Sequence, residues 1–193
     1  MKILAIRLKN LASLAGPFEI DFTAEPLASA GLFAITGPTG AGKSTLLDAL
    51  CLALFGAVPR LGDTGQAKMP DADSDISIGD PRTLIRRGTG GGYAEVDFVG
   101  VNGRRYRARW EANRARDKAS GKLQNSRQSL IDLDSDQLLA SQKTEYKTQL
   151  ELALGLNFEQ FTRAVLLAQS EFSAFLKAND NERSELLEKL TDT

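Results

Sequence analysis

Gly37, Pro38, Thr39, Gly40, Ala41, Gly42, Lys43 and Ser44 fit the pattern G-x-x-x-x-G-K-[ST] at every fixed position. The spacing follows from what phosphates need. Gly40 and Gly42 let the backbone curl until successive N–H groups point inward at phosphate oxygens. The start of a following helix adds its partial positive charge. Lys43 reaches the β- and γ-phosphates as a point charge, Ser44 offers a hydroxyl to Mg2+, and Thr45 can reach the α-phosphate. Pro38 brings no N–H, at a position that the pattern leaves variable. The expected nucleotide contacts are therefore Gly37, Thr39, Gly40, Ala41, Gly42, Lys43, Ser44 and Thr45. The alternative, a chance glycine turn ahead of a helix, does not explain the strand–loop–helix context.

That context is read from periodicity. Residues 31–36 (GLFAIT) are almost wholly apolar, as a strand buried on both faces would be. Residues 43–55 (KSTLLDALCLALF) read as an apolar helix that Gly56 and Pro59 stop. Upstream, residues 2–8 and 18–22 read as strands, with Phe18, Ile20 and Phe22 alternating against Glu19 and Asp21. Residues 57–82 are rich in Gly, Asp and Pro without a period, which predicts a long surface loop. Strands follow at 93–99 and 104–110, joined by a type I′ turn at Asn102–Gly103. A polar basic loop covers 111–127, and two short strands fall within 128–140. The remainder is helical: Tyr146, Leu150, Ala153 and Leu154 share a face that Gly155 closes, and Asn157 with Gln160 forms a capping box. A last charged segment from about Asn179 carries Leu186, Leu187 and Leu190.

Composition narrows the chemistry further. The 193 residues are 42% hydrophobic and 25% charged, a globular composition, with a net charge of −1 that gives no overall pull toward nucleic acid. There is no histidine, which removes Ser–His–Asp and Cys–His catalysis and the common zinc sites. The lone Cys51 sits in the apolar helix and reads as a small buried hydrophobe. The N-terminus alternates and carries charge too early for a signal peptide, and no apolar run is long enough to span a bilayer, so a cytoplasmic location is expected.

A complete hydrolase needs more than a phosphate loop. No N-K-x-D guanine motif is present. The one candidate for a hydrophobic strand ending in a metal-binding Asp, Ser129–Asp132, has too short an apolar run, and Thr89–Gly92 lacks the serine of an LSGG-like signature. The chain reads as half of an active site.

Several segments together resemble the N-terminal lobe of the SbcC family, bacterial relatives of the structural-maintenance-of-chromosomes ATPases that work with the nuclease SbcD. They are Ile6–Leu11 with Ser13 and Leu14, Phe33–Ala49 around the phosphate loop, Phe161–Arg163 with Leu166–Phe172, and Glu182–Thr191, while Leu84–Gly88 is similar to the related eukaryotic and archaeal heads. The resemblance implies an α/β fold: the N-terminal lobe of an ABC-type P-loop ATPase, with a mixed sheet, an added antiparallel hairpin region and C-terminal helices leading to a coiled coil. It implies a lobe over residues 1–178 and the beginning of the coil at 179–193. It further implies that Gln169 senses the γ-phosphate through Mg2+ and the attacking water, so Lys43 and Gln169 are the catalytic candidates and Ser44 and Gln169 the metal candidates. Walker B and the signature would come from a C-terminal lobe, a second head would join on ATP binding, and an SbcD-like nuclease and double-stranded DNA ends would be the partners, in a nucleoid-associated setting. Other long-coil ATPase heads (RecN-like or chromosome-structuring), a small-molecule P-loop kinase and a pure ATP-binding module are the competing readings.

DNA contact has one local candidate. Alternation puts Arg105, Arg107 and Arg109 on one strand face, and Arg114, Arg116, Lys118, Lys122 and Arg127 follow. Such a stripe suits phosphate tracking without sequence readout. The alternative is a solvated face paired with Glu95 and Asp97 across the hairpin; in a family that binds DNA on its heads, DNA contact is the expectation.

Overall fold

In the computed structural model, residues 1–62, 67–72 and 74–164 are described. The chain divides into two units, Met1–Gly155 and Leu156–Thr193. The expected boundary at 178 and the coil expected at 179–193 lie outside the described residues.

The first unit is built on strands β1 (Lys2–Lys9), β2 (Phe18–Asp21), β5 (Gly91–Val99), β6 (Arg105–Asn113), β7 (Arg127–Asp132) and β8 (Gln137–Ala140), in the order β2-β1-β5-β6-β7-β8. Helices α1 (Lys43–Phe55) and α2 (Lys143–Leu154) pack on it, α1 over β1, β5 and β6 and α2 over β7 and β8. Period-two alternation decides which face they cover. Ala94, Val96 and Phe98 of β5 and Tyr106, Ala108 and Trp110 of β6 are all buried, each large side chain contributing about 1.5–3 kcal/mol. Helix α1 is apolar nearly all round and is buried at Thr45 and from Asp48 to Leu54, and Gly56 ends it in the left-handed conformation at φ 64°. The Tyr146 hydroxyl of α2 donates to the carbonyls of Ala53 (2.7 Å) and Leu54 (3.0 Å), which ties the end of α1 to α2. In the second unit, helix α3 (Phe158–Ala164) begins with the expected capping box: Asn157 Oδ1 accepts from Gln160 N at 2.9 Å, and Gln160 Oε1 accepts from Asn157 N at 3.0 Å.

The structure differs from the sequence expectation in four places. Residues 31–36 are not a strand; all six are exposed, Leu32 to 92%. A strand exists only through a neighbour that takes its N–H and C=O groups, and no described strand lies beside this run. Among the described residues, the pairings of the six-stranded sheet are antiparallel throughout and not mixed. Residues 57–82 are not a featureless loop, since they hold an antiparallel pair, β3 (Lys68–Asp71) with β4 (Ser74–Ser77). Asp71 fixes that hairpin to the segment after β6, accepting from Arg114 at 2.6 Å and from Leu123 N at 3.0 Å, and the basic loop is thereby ordered too. Finally, Gly103 N bonds to Gly100 O at 3.1 Å and Gly103 takes φ 80°, so the turn is centred on Val101–Asn102. Asn102 spends its side chain on Arg104 N and on the Tyr106 hydroxyl.

Candidate functional site

The phosphate loop runs from Gly37 to the first turn of α1. Gly40 (φ 85°) and Gly42 (φ 91°) take the left-handed conformation, which glycine adopts without a Cβ penalty. Ala41 N bonds back to Pro38 O at 3.2 Å, curling the loop, and Leu46 N to Gly42 O at 3.3 Å opens the helix. Gly42 is the residue preceding α1, with no side-chain cap and no acidic residue in the first turn. The helix therefore presents its positive end to the loop uncompensated. The Lys43 ammonium folds back over the loop, donating to the carbonyls of Gly37 (2.7 Å) and Pro38 (2.9 Å). Ser44 is exposed and Thr45 is buried on the first turn. All eight expected nucleotide contacts lie on one loop and helix start, exposed from Gly37 to Ala41 and at Ser44 and buried at Thr45, and the donor set suits a polyphosphate with its cation. Gln169, the other catalytic and metal candidate, lies outside the described residues.

Below the loop, α1 is chemically quiet. Burial, with Asp48 beside it, pushes the Cys51 thiol up to about 12, so it stays protonated and inert at neutral pH. Asp48 is held up by burial against the lowering pull of Arg60, its partner at 2.6 Å. Asp132, the tempting metal carboxylate, has a structural job: Oδ1 accepts from Asp134 N (2.9 Å) and Ser135 N (3.2 Å), while Oδ2 pairs with Arg104.

The arginine stripe lies on the sheet face away from α1, and carboxylates hold it. Arg107 grips Asp97 with two bonds of 2.7 and 2.8 Å, and Arg109 reaches Glu95 at 3.0 Å and Glu111 at 3.0 Å. Arg7, from β1, joins from the other side, with Glu19 at 2.8 Å, Asp97 at 2.8 Å and Glu95 at 3.3 Å. Arg105, 59% exposed in its side chain, pairs with Asp134 at 2.7 Å. At the centre, three guanidinium groups (Arg7, Arg107, Arg109) face four carboxylates (Glu19, Glu95, Asp97, Glu111), which leaves no surplus of positive charge there. Burial opposes the ionisation of Asp97, but the bonds from Arg107 and Arg7 outweigh it and hold its pKa below the ordinary value. The face is a charge ladder across β2, β1, β5 and β6, built as the paired alternative describes.

Two residues that matter to the loop were not evident as such in the sequence. Leu14 lies so close to Gly42 that a Cβ there would meet its Cδ2 at 2.7 Å. Arg86 donates to the carbonyls of Ser13 (2.6 Å) and Ala12 (3.3 Å) in the turn before Leu14. Neither contact has a local sequence signal, because each joins segments far apart in the chain.

A family model described as AAA domain matches residues 5–193. The SbcC component of the nuclease SbcCD from Pseudomonas aeruginosa is 71% identical over the whole of this chain, which covers 16% of that protein. Its namesake in Rhodobacter capsulatus is 54% identical, again over the whole chain and 16% of that protein. The probable DNA double-strand break repair Rad50 ATPase of Aquifex aeolicus is 30% identical over 97% of this chain and 16% of its own length. The chain therefore spans about 16% of the length of the relatives it matches. Among the described residues, no helix is long and apolar enough to cross a membrane.

Proposed function

This chain belongs to the AAA-domain family of P-loop ATPases, on its SbcC branch, and from that membership we propose that it is the phosphate-gripping part of a split ATPase head that acts in DNA-end processing. The observation that carries the reading is the uncapped start of α1, where Gly40, Gly42 and the folded-back Lys43 surround an exposed loop. ATP phosphates replace the Gly37 and Pro38 carbonyls as partners of Lys43. The helix start and the loop N–H groups take up the negative charge. Mg2+, when bound, would supply further positive charge to the phosphates. Ser44 is the described residue that would hold it, with Gln169 completing the set.

Hydrolysis needs a carboxylate to place water and a second group of donors on the γ-phosphate. In this reading a C-terminal lobe and a second head bring them, and ATP-driven pairing of heads controls a nuclease partner of the SbcD kind working on double-stranded DNA ends. The exposed apolar run 31–36 supports such a lobe: Leu32, Phe33 and Ile35 leave apolar surface that a further lobe would cover. Lys43→Ala tests the nucleotide reading. It should weaken Mg·ATP binding tenfold or more in calorimetry, the equivalent of about 1.5–3 kcal/mol, with the thermal melt unchanged. Unaltered affinity would remove the phosphate-loop assignment.

A further inference from the structure

The turn between β1 and β2 is closed by its own backbone bonds, Asn10 N to Ala15 O at 2.9 Å, Leu11 N to Leu14 O at 3.0 Å and Leu14 N to Leu11 O at 2.8 Å, and is braced from outside as well. Asn10 (φ 53°) and Ala12 (φ 46°) both take the left-handed conformation, which alanine disfavours. The outside brace is the segment just before β5. Ala12 N bonds to Leu84 O at 2.8 Å, Arg86 N bonds to Asn10 O at 2.8 Å, and Leu11 bridges to Ile85, so residues 84–86 lie along the turn as an added strand. The Arg86 side chain then closes the arrangement from above, with one guanidinium nitrogen serving both the Ser13 and Ala12 carbonyls. Leu14 follows directly. Its side chain rests on Gly42, the residue that joins the phosphate loop to α1, with no space left for even a Cβ.

We infer that Arg86 is a positioning residue for the phosphate loop, acting through the Ala12–Ser13 carbonyls and the Leu14 side chain that abuts Gly42. It touches no phosphate. It fixes the wall against which the loop must curl, so the N–H groups around Gly42 are already aimed when ATP arrives. Arg82, only four residues earlier, makes a useful contrast: its guanidinium is occupied by Asp80 and the Gln124 carbonyl, off this path. The inference rests on the nucleotide reading above.

The test is a mutant cycle on Mg·ATP affinity in the full-length protein that carries these residues, with urea unfolding run alongside. Arg86→Met should weaken binding roughly tenfold while the protein stays folded, the effect of one lost charge-assisted hydrogen bond. Arg86→Lys, which keeps the charge but not the planar fork, should recover part of the loss. Leu14→Ala should weaken binding similarly, and the double variant should be no worse than the weaker single one, because both act through one contact. Arg82→Met should bind as the parent does. If Arg86→Met fails to fold, Arg86→Lys takes its place in the cycle under the same requirement. Parental affinity in a folded Arg86 variant, or losses that multiply in the double variant, overturns the positioning role. A parent protein that binds no ATP overturns instead the nucleotide reading on which it rests.

Discussion

Gly42 meets two demands at once: a left-handed backbone at φ 91° and the absence of a Cβ beneath Leu14. Gly42→Ala therefore strains the backbone and displaces Leu14 together. It should lower stability by about 1–3 kcal/mol and weaken Mg·ATP binding tenfold or more. Calorimetry and urea unfolding of the variant check both, and parental affinity would mean that the loop tolerates another curl. At this scale the sequence is informative where the chemistry is local. The phosphate-loop pattern, the inert Cys51 and the buried face of α2 are all legible from residue type and period. Leu14 and Arg86 are not, because their work is done by contacts through space between segments that nothing in the local pattern connects.

The charge ladder belongs to the scale of elements. Arg7 of β1 and Arg107 of β6 flank Asp97 of β5, and their bonds depress its pKa from the ordinary 3.8. For a carboxylate depressed in the folded state, the stabilising contribution is full above 3.8 and is lost as pH falls through the lower folded-state value. Acid unfolding followed by circular dichroism should thus be steeper below that point in the parent than in Asp97→Asn. A parallel loss in both would mean that Asp97 is not a contributor. The same pairing alters what the arginine stripe is expected to do. Replacing Arg105, Arg107 and Arg109 by Ala leaves Asp97 and Glu95 under-paired, so stability should fall by about 1–3 kcal/mol. The salt dependence of DNA binding by paired heads should stay as it was, whereas a slope flattened by up to roughly three units would make the stripe a phosphate contact. The alternation and the Glu95 and Asp97 partners were readable in the sequence. Arg7 was not, because which strand lies beside β5 is decided by topology, and alternation within a strand carries no information about its neighbour.

At the scale of the whole first unit, the antiparallel sheet with α1 and α2 packed on it seats the phosphate loop at the start of α1. The reading of the chain as half of an active site comes from motifs, which are local and can be searched for along a sequence. The strand expected at 31–36 was not realised because strand formation is a property of pairs. An apolar run names a position that wants burial and does not supply its own neighbour. Both bear on the proposal that the described lobe grips phosphates and that the rest of the catalytic constellation comes from elsewhere. ATP turnover by residues 1–193, measured as phosphate release with and without an added C-terminal lobe, tests that claim most directly. The prediction is Mg·ATP binding without appreciable turnover by the lobe alone, and turnover once the second lobe is present. Rapid hydrolysis by residues 1–193 on their own, free of contaminating enzyme, would contradict it.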